Sequence, residues 1–323
     1  MEGYSFFDQK LHEIALGSNF IKKSLFELEK SIFYKAEAEI LKKKHVFISG
    51  MPRAGTTILL NNLHQSNNFA SLTYKDAPFF LSPNFSKFLL LKKKGKLKLR
   101  YHNDGIYIDQ ESPEAFDEIF FNTFSEYEIK KNFLPYVSLI LKKNFKKRYL
   151  SKNNMIYSKI NLVKEILPNS IFIILYRDPV QQSFSLLKQH KNFTNLQKKN
   201  LFILKYMNLI YHNEFGIGYK FRNQPLFHKD SFNLNHWLEQ WYLFYNEIIN
   251  KYLNIQNVFL VSYEKLCLEK SYSDKLYDKL EVLKNDKKLF NLSKSEMDSN
   301  IEKNMLKNCH EIYEKLNAND TKF

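Results

Sequence analysis

The 323-residue chain predicts an α/β fold, a central and mostly parallel sheet flanked by helices. Short runs of β-branched and aromatic residues alternate with longer segments of helical periodicity, the pattern of a wound sheet. IFIILY (171–176) is apolar throughout, as expected of a strand covered on both faces. HVFIS (45–49) ends in Gly50 and, one turn later, enters a helix, the first half of a right-handed crossover.

Taken in order, residues 5–42 carry Leu25, Leu28, Ile32 and Phe33 at helical spacing and predict two helices. Residues 1–44 are therefore expected to be an N-terminal helical extension, and 45–323 a single globular domain with a helical tail. A strand over 45–49, a helix over 56–65 and a second strand over 69–74 follow. Pro78 and Pro83 stop regular structure. Residues 84–112 read as loop and short helix. Ser112 is expected to cap the next helix, with Pro113 first and Glu114 and Asp117 at its positive end. Further helices are predicted over 135–147, 157–167, 183–190, 196–213 and 234–252. The remaining strands are 148–152, 171–176 and 257–263. Trp237 and Trp241, one helical turn apart, read as core.

Bulk properties narrow the function. The net charge of +15 suits a surface that steers anionic ligands, and equally a codon bias that enriches Lys, Asn, Ile and Phe. No helix-turn-helix, zinc-ligand or RNP pattern accompanies the charge, so nucleic acid is not an expected partner. Cys267 and Cys309 form no CxxC pair, and no metal-ligand spacing occurs, so no metal is expected. No apolar run approaches the roughly 20 residues of a transmembrane helix, and the N-terminus lacks a signal pattern. A cytoplasmic protein is expected, with membrane-surface contact left open.

HVFISGMPRAGTT (45–57) has the layout of a phosphate-cradling loop. Strand end, turn and helix N-terminus aim backbone N–H groups and a helix dipole at one anion. The Gly50-to-Gly55 spacing matches the nucleotide P-loop, so a three-layer P-loop-like fold is expected. Thr56 stands where that loop has lysine, and the cation has moved to Arg53. Arg177 follows the strand 171–176, with Ser185 eight residues on in the next helix. Strand ends of parallel sheets bind ligands, and an arginine there offers a fork of donors to a phosphate.

Together, GMPRAGTT and RDPVQQSFS resemble the two donor-binding motifs of sulfotransferases that use 3′-phosphoadenosine-5′-phosphosulfate (PAPS). The loop is closest in style to bacterial and tyrosylprotein sulfotransferases. The resemblance implies that Pro52, Arg53, Ala54, Gly55, Thr56 and Thr57 hold the 5′-phosphosulfate, and Arg177 and Ser185 the 3′-phosphate. SKNN (151–154) is similar to the family's K-x-P element and implies that Lys152 stabilises the transition state, with Asn154 in the place of proline. VSYEKL (261–266) is similar to its late strand-YE-L element and implies a donor contact for Tyr263. The family's second arginine is absent; Gln189 occupies that position. The likeness spans about residues 44–265.

The implied reaction moves a sulfuryl group from PAPS to an acceptor hydroxyl, with Arg53 and Lys152 as the cations beside the leaving oxygen. An acceptor hydroxyl requires a base. The resemblance implies Asp76 as the first candidate, because it follows the second strand and tyrosylprotein sulfotransferases place their catalytic glutamate at nearly that distance from the loop arginine. It implies His102 as the second, because cytosolic sulfotransferases use a histidine in the segment between the two motifs. Asp104, Glu111 and Glu114 lie nearby as residues that commonly cap helices. The acceptor is expected to be a carbohydrate or glycolipid, with no metal required. A P-loop kinase or NTPase, and a non-catalytic nucleotide-binding protein of this fold, are the alternatives.

Overall fold

The computed structural model describes residues 5–89, 97–102, 104–283, 292 and 300–320. The helices are α1 (Phe6–Gly17), α2 (Asn19–Phe33), α3 (Ala38–Leu41), α4 (Thr56–Gln65), α5 (Pro83–Leu89), α6 (Glu118–Thr123) and α7 (Glu126–Asn144). They continue with α8 (Ile160–Ile166), α9 (Pro179–Lys199), α10 (Leu201–Leu209), α11 (Leu234–Tyr252), α12 (Tyr263–Leu268), α13 (Lys270–Lys279) and α14 (Lys303–Ala318). The strands are β1 (Val46–Ser49), β2 (Phe69–Ala70), β3 (Lys98–Leu99), β4 (Tyr107–Ile108), β5 (Arg148–Lys152), β6 (Ile171–Tyr176) and β7 (Val258–Ser262).

Five strands form one sheet in the order β2-β5-β1-β6-β7, and every pairing is parallel. β3 and β4 make a separate antiparallel hairpin. The three layers follow from strand alternation. Val46, Ile48, Ile173 and Leu175 face one core, filled by Leu59, Leu60 and Leu63 of α4 and by Leu266 and Leu276 of α12 and α13. Phe47, Phe172, Ile174 and Tyr176 face the other, against Phe133 and Tyr136 of α7 and Trp241 and Tyr245 of α11. Both faces of β1 and β6 are covered, which explains their unbroken apolarity. Phe26 of α2 is fully buried in the second core, and Glu29 of the same helix accepts hydrogen bonds from the Asn84 and Phe85 amides, each at 3.0 Å.

Several boundaries differ from expectation for local reasons. Ser112 caps no helix, because its hydroxyl donates to Asp109 at 2.8 Å, and α6 begins only at Glu118. Helix α7 starts well before Pro135. Ser125 and Glu128 close a capping box at its N-terminus, a signal present in the sequence, and the helix continues through the proline. Helix α9 is longer than expected, running to Lys199 where Asn200 caps α10. Strand β2 keeps only Phe69–Ala70, as Thr73 and Asp76 form a capping box around a short 3₁₀ turn.

One polar knot ties the layers together. Asp117 is buried and accepts from Tyr136 of α7 at 3.0 Å, and from Tyr149 and Ser151 of β5. Burial raises its carboxyl above the usual range, against these hydrogen bonds. Asp117→Ala would strand three buried hydroxyls, each worth about 1–3 kcal/mol when unpaired. A loss of about 3 kcal/mol is expected in urea denaturation, with the m-value unchanged; a midpoint equal to wild type would refute it.

Candidate active site

The winding of the sheet reverses at β1, which lies between β5 and β6, and crevices at such reversals open at strand carboxyl ends. The loop after β1 is shaped by close approach. Gly50 adopts φ 138°, and a Cβ there would lie 2.5 Å from the Leu175 carbonyl of β6. Gly55 adopts φ 90°, and a Cβ would lie 2.4 Å from the Tyr263 ring. Arg53 itself takes φ 72°, a strained conformation for a side chain of its size. Gln182 of α9 holds the loop by donating to the Met51 and Pro52 carbonyls at 3.1 and 3.0 Å. Its carbonyl in turn accepts from Trp241 Nε1 at 3.0 Å. The two tryptophans are core, as expected, and Trp241 also fastens this loop.

The two arginine-bearing motifs meet. Arg53 donates through Nε to Ser185 at 2.9 Å and through Nη1 to Asp104 at 2.8 Å. Arg177 donates to the Arg53 carbonyl at 3.4 Å, and its guanidinium lies 5.0 Å from the Tyr263 ring centroid. No side chain caps α4, so the first-turn amides of Thr56 and Thr57 face the crevice without a side-chain acceptor.

A chain of charges continues from Arg53. Asp104 also accepts from Arg100, Arg100 donates to Glu114 at 2.9 Å, and Glu114 accepts from Lys152 at 2.9 Å. Arg100 approaches Thr57 at 3.5 Å. Three cations, Arg53, Arg100 and Lys152, thus pair with two carboxylates, and all five side chains are largely buried. Burial opposes ionisation of Asp104 and Glu114, but Arg100 with Arg53, and Lys152 with Arg100, hold them well below the usual carboxylate range. His102 is pushed well below its ordinary value, first by burial and then by the Arg100 charge, so its imidazole is neutral. Its ring packs edge-on against Phe193 at 5.0 Å.

Asp76, the first candidate for the base, stands apart from this chain. It accepts from the Thr73 amide and hydroxyl at 2.8 and 3.2 Å and pairs with buried Lys143. At 1% exposure, one of its oxygens holds the 3₁₀ turn and the other pairs with Lys143. The site instead contains Arg100, which sequence reasoning passed over, and Asp104 and Glu114, which it read as helix-capping residues. Gln189 lies on α9 one turn beyond Ser185; it is 4% exposed, and its amide nitrogen has no hydrogen-bond partner among the described residues.

The sulfotransferase family profile matches residues 45–214, more than half of the chain. The chain belongs to the sulfotransferase family. Sulfotransferase STF9 from Mycobacterium avium superposes with a TM-score of 0.46 at 11% identity, covering 98% of this chain and 79% of that one. Sulfotransferase STF1 from Mycobacterium tuberculosis H37Rv gives 0.48 at 12% identity, covering 88% and 80%. No curated protein sequence matches significantly. Among the described residues, no helix is long and apolar enough to cross a membrane, and no group of three or more His, Cys, Asp or Glu is placed to hold a metal.

The two lowered carboxylates of this sulfotransferase fix the sign of its acid response. Their stabilisation is complete above the unfolded carboxylate value near ~4 and is lost as pH falls below it toward the folded values. Glu114→Gln leaves Lys152 and Arg100 with one compensating charge fewer and should lower stability at pH 7 by about 3 kcal/mol. Thermal melting followed from pH 7 down to about 3 should also be flatter in the variant than in wild type. Parallel curves would disprove the assignment.

Proposed function

We propose that the protein transfers a sulfuryl group from PAPS to an acceptor hydroxyl, without a metal. The observation that carries this reading is the meeting of the two arginine motifs, in which Arg177 reaches the Arg53 carbonyl and Arg53 reaches Ser185. A nucleotide with anions at both its 5′ and 3′ positions matches that pair of cationic points.

In this reading Pro52, Arg53, Ala54, Gly55, Thr56 and Thr57 cradle the 5′-phosphosulfate. Arg177 and Ser185 take the 3′-phosphate, and Tyr263 packs beneath the Arg177 guanidinium. The bond between sulfur and the bridging oxygen breaks as one forms to the acceptor oxygen, and charge grows on the oxygen left on the 5′-phosphate. Lys152 and Arg53 stabilise that charge, with Lys152 aimed by Glu114. The acceptor proton passes to a base. Neutral His102 suits that role better than Asp76, whose oxygens are occupied. The products are a sulfate ester and 3′-phosphoadenosine-5′-phosphate. The proposed acceptor is a carbohydrate or glycolipid hydroxyl.

Calorimetry with 3′-phosphoadenosine-5′-phosphate and with ATP tests the donor site. Wild type should prefer the former, and Arg177→Ala should reduce that preference by about 10- to 100-fold, the worth of a charge-assisted hydrogen bond. Equal affinity of wild type for the two nucleotides would remove the donor assignment. In a turnover assay with hydroxylated acceptors, Lys152→Ala should lower kcat by about 10²–10³ with little change in donor affinity. Magnesium-dependent ATP hydrolysis by wild type would favour an NTPase instead.

A further inference from the structure

Arg53 meets a carboxylate where the donor's anion is expected. Its Nε donates to Ser185 and its Nη1 to Asp104, at 2.9 and 2.8 Å. The remaining nitrogen, Nη2, makes no hydrogen bond among the described residues and is open to solvent. The side chain as a whole keeps 20% of its surface exposed. A phosphate frequently takes two parallel N–H bonds from one guanidinium. One of its oxygens thus finds Nη2 unengaged, and the second meets a nitrogen that already has a partner. Ser185 is neutral and its hydroxyl rotates, so it can share that nitrogen. Asp104 cannot. Burial opposes its ionisation, yet Arg100 and Arg53 hold it well below the usual carboxylate range. It is therefore an anion, and two anions on one guanidinium repel.

The carboxylate can leave Arg53 without losing every partner. Asp104 Oδ1 accepts from Arg100 Nε at 3.0 Å, and Oδ2 accepts from Arg100 Nη2. That two-pronged pair survives loss of the Arg53 contact, so no buried charge is stranded. Arg100 itself stays anchored by Glu114 at 2.9 Å. The turn beyond it has room to move. Its flanking strands β3 and β4 pair over two residues each, and Lys98, Leu99 and Tyr107 are exposed. Gly105 adopts φ 77°, and a Cβ there would meet nothing within 4 Å. Segments with few buried contacts shift at little cost. A cavity of about 210 Å³ has Met51 and Pro52 of the glycine loop in its wall. None of the five charged side chains lines it, so the exchange is confined to the Arg53 side.

We propose that Asp104 is a built-in competitor for the donor, its carboxylate holding the place on Arg53 that the donor's 5′ anion takes. Donor binding then passes Arg53 from Asp104 to the nucleotide and leaves Asp104 on Arg100. The proposal rests on the sulfuryl-transfer reading for the identity of the anion. Calorimetry on the full chain compares 3′-phosphoadenosine-5′-phosphate with adenosine 3′-phosphate, which lacks the 5′ anion. Asp104→Asn and Asp104→Ser should each bind the former about tenfold more tightly, and the latter within about twofold of wild type. In an Arg53→Gln background the gain should vanish. Both variants should melt below wild type, and saturating 3′-phosphoadenosine-5′-phosphate should raise their melting temperature more than it raises that of wild type, because it supplies the missing charge. A carboxylate that only aims Arg53 would give the opposite sign, weaker nucleotide binding in both variants. That result, unchanged binding, an equal gain for both nucleotides, or a gain that persists without Arg53 would overturn the proposal. If wild type does not prefer 3′-phosphoadenosine-5′-phosphate to ATP, the donor reading falls instead. Inorganic pyrophosphate, which needs no adenosine site, then decides the role of Asp104: tighter binding by the two variants supports it, and equal or weaker binding overturns it.

Discussion

The parallel pairing of β1 with β6 is the constraint on which the site depends. Its register sets Ser49 beside Ile174, so β6 runs only to Tyr176 beyond the end of β1 before the Arg177 turn. The glycine loop and the Arg177 turn must then occupy adjoining space, although more than 120 residues separate them in sequence. Contact this close leaves no room for a side chain at Gly50, where the Leu175 carbonyl would meet it. Tyr245 of α11 donates to that same carbonyl at 2.9 Å, so the helical layer fixes the strand end as well. The meeting of the two motifs is therefore a consequence of strand register and not of loop conformation.

What the register assembles is an electrostatically costly cluster. Taking ions out of water costs several kcal/mol each, and buried pairs are weak evidence for stability. The Lys152–Glu114–Arg100–Asp104–Arg53 chain is nonetheless retained in the interior, with Arg177 added at one end. Its carboxylates serve to separate and aim the cations. Glu114 keeps Lys152 and Arg100 from repelling one another, and Asp104 does the same for Arg100 and Arg53.

The sheet was legible in the sequence because its signals are local. IFIILY and VFIS are buried on both faces and read as such, and the Gly50–Gly55 turn has backbone demands that few other residues meet. The charged chain was not, because its members come from separate segments whose contacts are long-range. The surroundings of Asp76 were not legible for the same reason. Its spacing from Arg53 suited a base, but a turn closed on it and Lys143 claimed the remaining oxygen. A usable signal did exist in arginine scarcity. Only five of the 49 cationic residues are arginine, and Arg53, Arg100 and Arg177 gather at the charge cluster while Arg222 lines the cavity. In a chain that favours lysine, a retained arginine marks a place where a planar fork of donors is required.

The loop also couples the two sides of the site. Its inner face presents Arg53 to the charge cluster, while Met51 and Pro52 line the cavity on the other side. Gln182 bonds to the carbonyls of those same two residues and is itself held by Trp241. A shift of the loop toward a bound nucleotide would strain both hydrogen bonds and move the cavity wall with it. A rigid connection of this kind suits a transfer reaction, in which donor and acceptor must be held about 3–3.5 Å apart at the reacting atoms and in line.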